Sequence, residues 1–474
     1  AALAEVERPN LSARRLGWRA GLLDAAPLAV AGIVANGGSL LVTVVLARLL
    51  TARGYGALNQ LIGVFFVVST PGSAVLVGVV RRVTRWAGPV EGVPRWGALV
   101  HRRATSALVV FSAIVVAAGP SVASLLGRRD AVGFDAVTIA GAVWVLLCVD
   151  RGLLQVHREY RTLSGNLLFE GAARTGFMVA FGAAGLGVGG VAAGLLVAEV
   201  CTTVHARVVA DRASRRGTVR GTTAGQPARA SAASAACVLS GFVAASRRYA
   251  GAWRPTESFG RDRVVRRDLV AAIAALAAIA VLQNIDVIVM GREAPRAAGP
   301  YAAVSVSSKA LVFVAVAVAG YLLPEAAISW REGRHALRQL AVSLAVIGVP
   351  AAALVGVAAS MPRFFLSTVF SGRYVRAAGA FLPLALAMVC LSVTVMVTMY
   401  LLGVGDRWFV VALVAAAALA AAAVVLANGV PRTTAFADLG VQGLLLCAAL
   451  GELARVHRSQ GRVHRLRHSA ALPR

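Results

Sequence analysis

Apolar residues fall along this chain in blocks of about 20, the length a helix needs to cross a hydrocarbon core, and the blocks are separated by polar, arginine-rich breaks. Windows of that length lie at 28–49, 57–80, 106–126, 135–156, 163–184, 187–209, 269–290, 301–324, 337–358, 376–402, 407–427 and 436–455. The pattern predicts an all-α polytopic membrane protein with about 12 transmembrane helices. The first window is too long and too far along the chain for a cleaved signal peptide, and Arg14-Arg15 is a poor twin-arginine signal before so many further spans, so it is expected to stay in the mature protein. One long polar break, 210–268, rich in Arg, Ser, Gly and Thr, divides the spans into two sets of six. The expected organisation is therefore an N-terminal tail (1–27), a six-helix lobe (28–209), a basic inter-lobe segment (210–268), a second six-helix lobe (269–456) and a basic tail (457–474).

Composition narrows the picture further. Of the 474 residues 58% are hydrophobic and 15% charged, where soluble domains run near 45–50% and about 25%. A soluble enzyme is excluded on that ground. The net charge of +27 would by itself suggest nucleic acid, but the arginines lie between the apolar blocks, and only Lys309 among the 48 basic residues is a lysine. With an even number of spans both termini share one side, and that side carries roughly 35 basic residues against roughly 10 on the other. The asymmetry puts both tails and the 210–268 segment in the cytoplasm and the chain in the cytoplasmic membrane, and nucleic acid is not expected as a partner. Cysteine labelling of intact cells is expected to leave 210–268 and the tails unlabelled from outside and to reach the loop at 359–375. Labelling of 210–268 from outside would overturn this orientation.

Within the inter-lobe segment, Arg247, Arg248, Arg254, Arg261, Arg263, Arg266 and Arg267 accompany Tyr249, Trp253 and Phe259. That composition over 245–268 suits anionic lipid headgroups, and it equally suits a solvated arm that obeys the orientation rule.

The two halves repeat. Asn36 opens an apolar run reaching Ala47-Arg48, followed by Gly54-Tyr55; Asn284 opens one reaching Gly291-Arg292, followed by Pro300-Tyr301. Leu153-Leu154 and Leu401-Leu402 close the fourth and tenth spans at the same offset, 401 − 153 = 248 and 284 − 36 = 248. Parallel repeats of this kind place a cleft between two lobes that can open to either side by rocking.

These segments carry a resemblance. Leu46-Ala47-Arg48-Leu49-Leu50 with Gly54-Tyr55-Gly56-Ala57-Leu58, Asn284-Ile285-Asp286-Val287 with Gly291-Arg292, Tyr301-Ala302-Ala303 with Leu323-Pro324-Glu325, and Phe370-Ser371-Gly372-Arg373-Tyr374 resemble polysaccharide biosynthesis flippases. These form the O-antigen and teichoic-acid exporter branch of the multidrug/oligosaccharidyl-lipid/polysaccharide exporter superfamily. The resemblance covers residues 28 to 456 without the central segment. It implies two six-helix bundles around a central cavity, and translocation of a polyprenyl-(pyro)phosphate-linked glycan to the outer leaflet for cell-surface polysaccharide synthesis, with polysaccharide-assembly proteins as partners. The inter-lobe segment is longer than the family usually has. The fourteen spans and early arginine cluster of the lipid II flippase branch are not seen.

Ionisable residues within spans are costly and mark candidate sites. Glu170 and Arg174 lie four apart on the fifth span, Glu199 on the sixth, Asp286 on the seventh and Lys309 on the eighth. Counted at 1.5 Å per residue, Arg174 is roughly 16 Å and Glu199 roughly 15 Å from the inner helix ends, so they can meet near the midplane, and Asp286 and Lys309 are within reach of each other. One reading makes Arg174 and Lys309 cavity cations that attract a pyrophosphate, with Glu199, Glu170 and Asp286 restraining them or binding a coupling ion, H⁺ or Na⁺. The other makes all of them structural ion pairs. Asn36 and Asn284, with Asn59, Gln60, Asn166 and Gln283, would bond sugar hydroxyls or neighbouring helices.

The remaining chemistry is sparse. Five cysteines lie far apart and seven histidines are scattered, so neither a metal site nor a redox pair is expected, and no Walker-type loop points to a nucleotide. No cofactor and no catalytic residue is expected. Two alternatives to a flippase remain: a drug/cation antiporter, favoured by clustered acids, and a membrane-embedded glycosyltransferase or polymerase, which needs an outer-loop carboxylate pair that Asp130, Asp135, Glu293 and Asp438 do not supply.

Overall fold

A computed structural model describes residues 31–32, 34–35, 37–84, 92–128, 131–156, 159–221, 261–331, 337–404, 406 and 408–470. The described residues are helical throughout, joined by short turns and without a strand. The helices are α1 (Gly37–Leu49), α2 (Ala52–Ser69), α3 (Pro71–Thr84), α4 (Gly92–Leu125), α5 (Val132–Val156), α6 (Tyr160–Ala183), α7 (Gly187–Gly221), α8 (Arg261–Glu293), α9 (Pro295–Arg331), α10 (Leu337–Ser360), α11 (Pro362–Val369), a 3₁₀ segment (Gly372–Ala380), α12 (Phe381–Val404), α13 (Trp408–Leu426) and α14 (Pro431–Ala470).

Ten spans among the described residues are long and apolar enough to cross a membrane, with α2 and α3 joined as one of them. The shorter α1 and the charged α6, which is 24 residues long, fall on the two remaining windows of the hydropathy pattern without meeting that criterion. The molecule is a multi-pass membrane protein. Its surface inverts that of a soluble domain: Val109, Val110 and Ile114 of α4, Val342, Val346 and Val349 of α10, and Val411 and Val414 of α13 face outward, while acids and amides are buried. Several helices outrun the membrane. At 1.5 Å per residue the 40 residues of α14 measure about 60 Å, and α7 and α8 likewise continue beyond their predicted spans into the inter-lobe segment. Asn36 and most of the stretch at 245–268 expected to meet lipid headgroups lie outside the described residues.

Local sequence sets the breaks. Thr51 caps α2 by accepting from the Gly54 amide at 3.1 Å, and α3, α9, α11 and α14 each begin with a proline, whose missing N–H costs nothing there. After α4 the chain turns through Gly127 at φ 71°, with the Arg128 amide reaching back to Ala123 O at 2.9 Å, so the residue without a Cβ takes the left-handed position.

In the first half α5 packs on α2, α3, α4 and α7, and α6 on α7; in the second α12 packs on α9, α10 and α14, and α8 on α13. Contact between the halves runs through α2 against α8 and α9, and through α3 against α8.

Candidate functional site

The halves are clamped where α1 turns into α2 and α8 into α9. Gly56 on α2 and Gly299 on α9 let two backbones cross: a Cβ on Gly56 would lie 2.5 Å from the Gly299 nitrogen, and one on Gly299 would lie 1.9 Å from the Ala52 carbonyl. Gln60 Nε2 donates to Leu126 O and, across the seam, to Ile288 O, both at 3.0 Å. Two arginines are exchanged reciprocally. Arg48 Nη2 donates to Thr368 O and Val369 O at 3.2 and 3.3 Å, and Arg373 Nη2 donates to Ala47 O and Arg48 O at 2.7 and 3.1 Å. The Tyr374 hydroxyl also donates to Ala47 O (2.6 Å), and its ring packs on buried Tyr55 at 5.4 Å. Further down α2, Phe66 meets Phe313 of α9 with centroids 5.6 Å apart.

Inside the first half a four-member charge chain crosses α5, α6 and α7. Arg151 Nη2 reaches Glu170 Oε2 at 2.5 Å and its Nε donates to Asn166 Oδ1 at 2.8 Å. Arg174 Nη2 reaches Glu170 Oε1 at 2.6 Å, and its Nε reaches Glu199 Oε1 at 2.5 Å. Trp144 Nε1 donates to Glu170 at 3.3 Å, and Asn166 is held by Thr202 O and His205 Nδ1. Two cations and two anions balance, as burial in a low-dielectric interior requires. The second oxygen of Glu199 is buried without a hydrogen-bond partner among the described residues. The Arg174 side chain is 19% exposed, the most open of the four. It lies over the Phe65 ring at 5.2 Å, and Phe65 itself packs edge-on against Phe66, the residue that touches the other half.

The second half has its own cluster. Asp286 accepts from Tyr301 (3.1 Å), Ser305 (2.9 Å) and Lys309 (3.0 Å). Asp438 of α14 is fully buried near the charges of Asp286 and Lys309; its Oδ1 takes a bond from Gln442 at 3.4 Å, and its Oδ2 has no hydrogen-bond partner among the described residues.

The structure thus brings together Glu170, Arg174 and Glu199, and separately Asp286 and Lys309, as the depth estimates anticipate. Asn284 turns instead to its own helix, donating to Ala280 O at 2.8 Å, and Asn59 does the same with Tyr55 O. Two expectations need correction. By its place at the inner end of the 135–156 window Arg151 belongs to the cytoplasmic count of basic residues, but it is buried in the charge chain instead. Asp438 is not an outer-loop acid, because α14 begins at Pro431 and carries it inward. Sequence reasoning also passed over Asp150, which pairs with His101 (3.2 Å) and Arg207 (3.3 Å) and ties α4 and α7 to α5. Adjacent ionisable residues near a span end, Asp150-Arg151, were the available signal. Among the described residues no group of three or more potential metal ligands forms.

No protein-family model matches the sequence, and no curated protein matches it. Solved structures match its fold. An inward-facing multidrug resistance MATE family transporter of the MOP superfamily aligns over 91% of this chain and 99% of its own, at 12% identity and a TM-score of 0.59. The lipid II flippase MurJ in an inward closed conformation aligns over 90% of this chain and 87% of its own, at 9% identity and a TM-score of 0.59. An outward-facing MATE family transporter aligns over 92% and 96%, at 11% identity and a TM-score of 0.53. The chain carries the fold of these MATE transporters and of the lipid II flippase.

Proposed function

We propose that this protein is an alternating-access flippase of the cytoplasmic membrane that exports a polyprenyl-(pyro)phosphate-linked oligosaccharide for cell-surface polysaccharide synthesis. The observation that carries the reading is Arg174: a guanidinium within the span region, balanced by two more deeply buried carboxylates and left partly open above Phe65. A lipid-linked pyrophosphate must leave water while charged, and an arginine fork offers its oxygens paired donors. With the clamped end outside, as the arginine asymmetry implies, a closed outer seam is what an inward-facing state that loads from the cytoplasm requires. Rocking the halves about α2 and α8 would break the outer clamp and present the headgroup to the other leaflet.

One observation favours a second reading, a drug/cation antiporter. Five buried acids, Asp150, Glu170 and Glu199 in one half and Asp286 and Asp438 in the other, include three oxygens without hydrogen-bond partners among the described residues that would accept H⁺ or Na⁺. A single experiment separates the two. Purified protein in liposomes is expected to move a lipid-linked oligosaccharide to the outer leaflet, where an added lectin captures it, and to leave a cationic dye undisturbed under an imposed H⁺ or Na⁺ gradient. Dye efflux driven by the gradient, with no glycan reaching the lectin, would establish the antiporter instead.

A further inference from the structure

The clamped end holds positive charge that no described carboxylate neutralises. Arg48 and Arg373 come from opposite halves and converge on one strip of backbone, since Arg373 bonds the carbonyl of Arg48 itself. On carbonyls each uses Nη2 alone, and Arg373 also lies against Tyr374, 5.3 Å from its ring centroid, which still leaves donors of both guanidinium groups unspent. Arg376 follows Arg373 by three residues within the 3₁₀ segment, where residues three apart eclipse, so it stands over the same face. It makes no hydrogen bond with any described residue. No described carboxylate lies within ion-pair distance of any of the three. The approach is open, since a Cβ on Gly372 would meet nothing within 4 Å.

Closing the halves therefore gathers three guanidinium groups without a counter-charge. Like charges brought together oppose closure unless an anion joins them, and guanidinium forks match phosphate oxygens in geometry and charge. We propose that Arg48, Arg373 and Arg376 form a phosphate site that is complete only while the halves are clamped, so that a phosphate-bearing ligand holds the seam shut. A ligand that binds one conformation and not the other shifts the population by its differential affinity, and here the separated halves would offer only part of the donor set. The phosphate can arrive on a phospholipid headgroup or as a free anion. Beside the site, Phe364 is 66% exposed on α11 next to Arg363, an apolar edge that suits a headgroup in the adjoining leaflet. The proposal rests on the seam alone and is independent of the substrate carried between the halves.

The test uses the full chain in nanodiscs of zwitterionic lipid, titrated with inorganic pyrophosphate, with spin labels across the seam reporting its closure. Saturable binding that raises the closed population is expected. Arg376→Gln, which removes no bond seen in the protein, is expected to weaken that binding about threefold, and the Arg48→Gln/Arg373→Gln pair about tenfold or more, the scale of lost charged hydrogen bonds. Anionic phosphatidylglycerol nanodiscs distinguish the sources. If the headgroup is the natural occupant, they close the seam without pyrophosphate and weaken its binding; if a free anion is, they change neither. Binding that is equal in the wild type, Arg376→Gln and the double variant would overturn the site, as would failure of both pyrophosphate and anionic nanodiscs to close the seam.

Discussion

Arg174→Gln is expected to abolish export of lipid-linked glycan, and its pairing with a second change shows why. Removing this guanidinium leaves Glu170 still held by Arg151 at 2.5 Å but strips Glu199 of its one ion-pair partner, and Glu199 is fully buried. An uncompensated buried charge costs about 3–5 kcal/mol when its partner is deleted, so Arg174→Gln is also expected to lower protein abundance. The Arg174→Gln/Glu199→Gln double variant restores neutrality, leaving Arg151 with Glu170 and two amides that can bond each other. Its abundance is expected to recover. Export is not, because the group that would grip phosphate is still missing. Arg174→Lys keeps a charge but loses the fork that reaches both Glu170 and Glu199, and is expected to retain part of the transport. Abundance by immunoblot and glycan arrival at the outer leaflet, measured on the same cells, read the two effects separately. A double variant that exports at the wild-type rate would remove Arg174 from the mechanism and leave the chain of four as a structural tie.

The amount of this site that could be read from the sequence follows from how deep each residue lies and how far along the chain its partner is. Twelve apolar windows mark the predicted spans because length and hydropathy are local properties; ten spans among the described residues are long and apolar enough to cross a membrane, and the shorter α1 and the charged α6 fall on the other two windows. Glu170 and Arg174 share a face because they are four apart, and Glu199 could be paired with them by counting rise per residue from the helix ends. Near the ends of a helix, position along the chain does not decide where a charged side chain goes. Arg151 lies five residues before the end of α5, at Val156, where an arginine that snorkels to water and one that turns inward have the same sequence signature. Its inward turn is decided by Asn166 and Glu170 on a neighbouring helix. Asp438 was misjudged because α14 starts at Pro431, five residues before the predicted window, which carries the acid about 10 Å into the helix. The seam could not be read at all: Arg48 and its acceptors at Thr368 and Val369 are separated by more than 300 residues, and their bonds go to carbonyls, which carry no residue identity.

The glycine crossing at the seam supplies the other large effect. Gly299 lies in the first turns of α9, where its backbone runs so close to the start of α2 that any Cβ would sit 1.9 Å from the Ala52 carbonyl oxygen. The obstacle is backbone, and the opposing Gly56 is equally confined, its own Cβ position being 2.7 Å from the Ala298 carbonyl carbon. No side-chain rotation relieves the overlap, so Gly299→Ala must push the halves apart, stretching the Gln60 bond to Ile288 and loosening the Arg48 and Arg373 exchange. Overpacking of this kind costs about 1–3 kcal/mol, and inverting a 99:1 population takes about 5.5 kcal/mol. Gly299→Ala is therefore expected to populate the outward-open state measurably, and Gly299→Leu to hold most molecules there, with export falling in step because each cycle must pass through the clamped form. Cysteines introduced by Leu49→Cys and Val369→Cys, on the two sides of the seam, should crosslink readily in the wild type and progressively less in the two variants. Gly176→Ala, at a position where a Cβ meets nothing within 4 Å, serves as the control for added bulk and should leave crosslinking unchanged. Normal melting temperatures in the variants would separate a shifted equilibrium from misfolding, and wild-type crosslinking together with wild-type export in Gly299→Leu would show that the halves need not meet at this crossing.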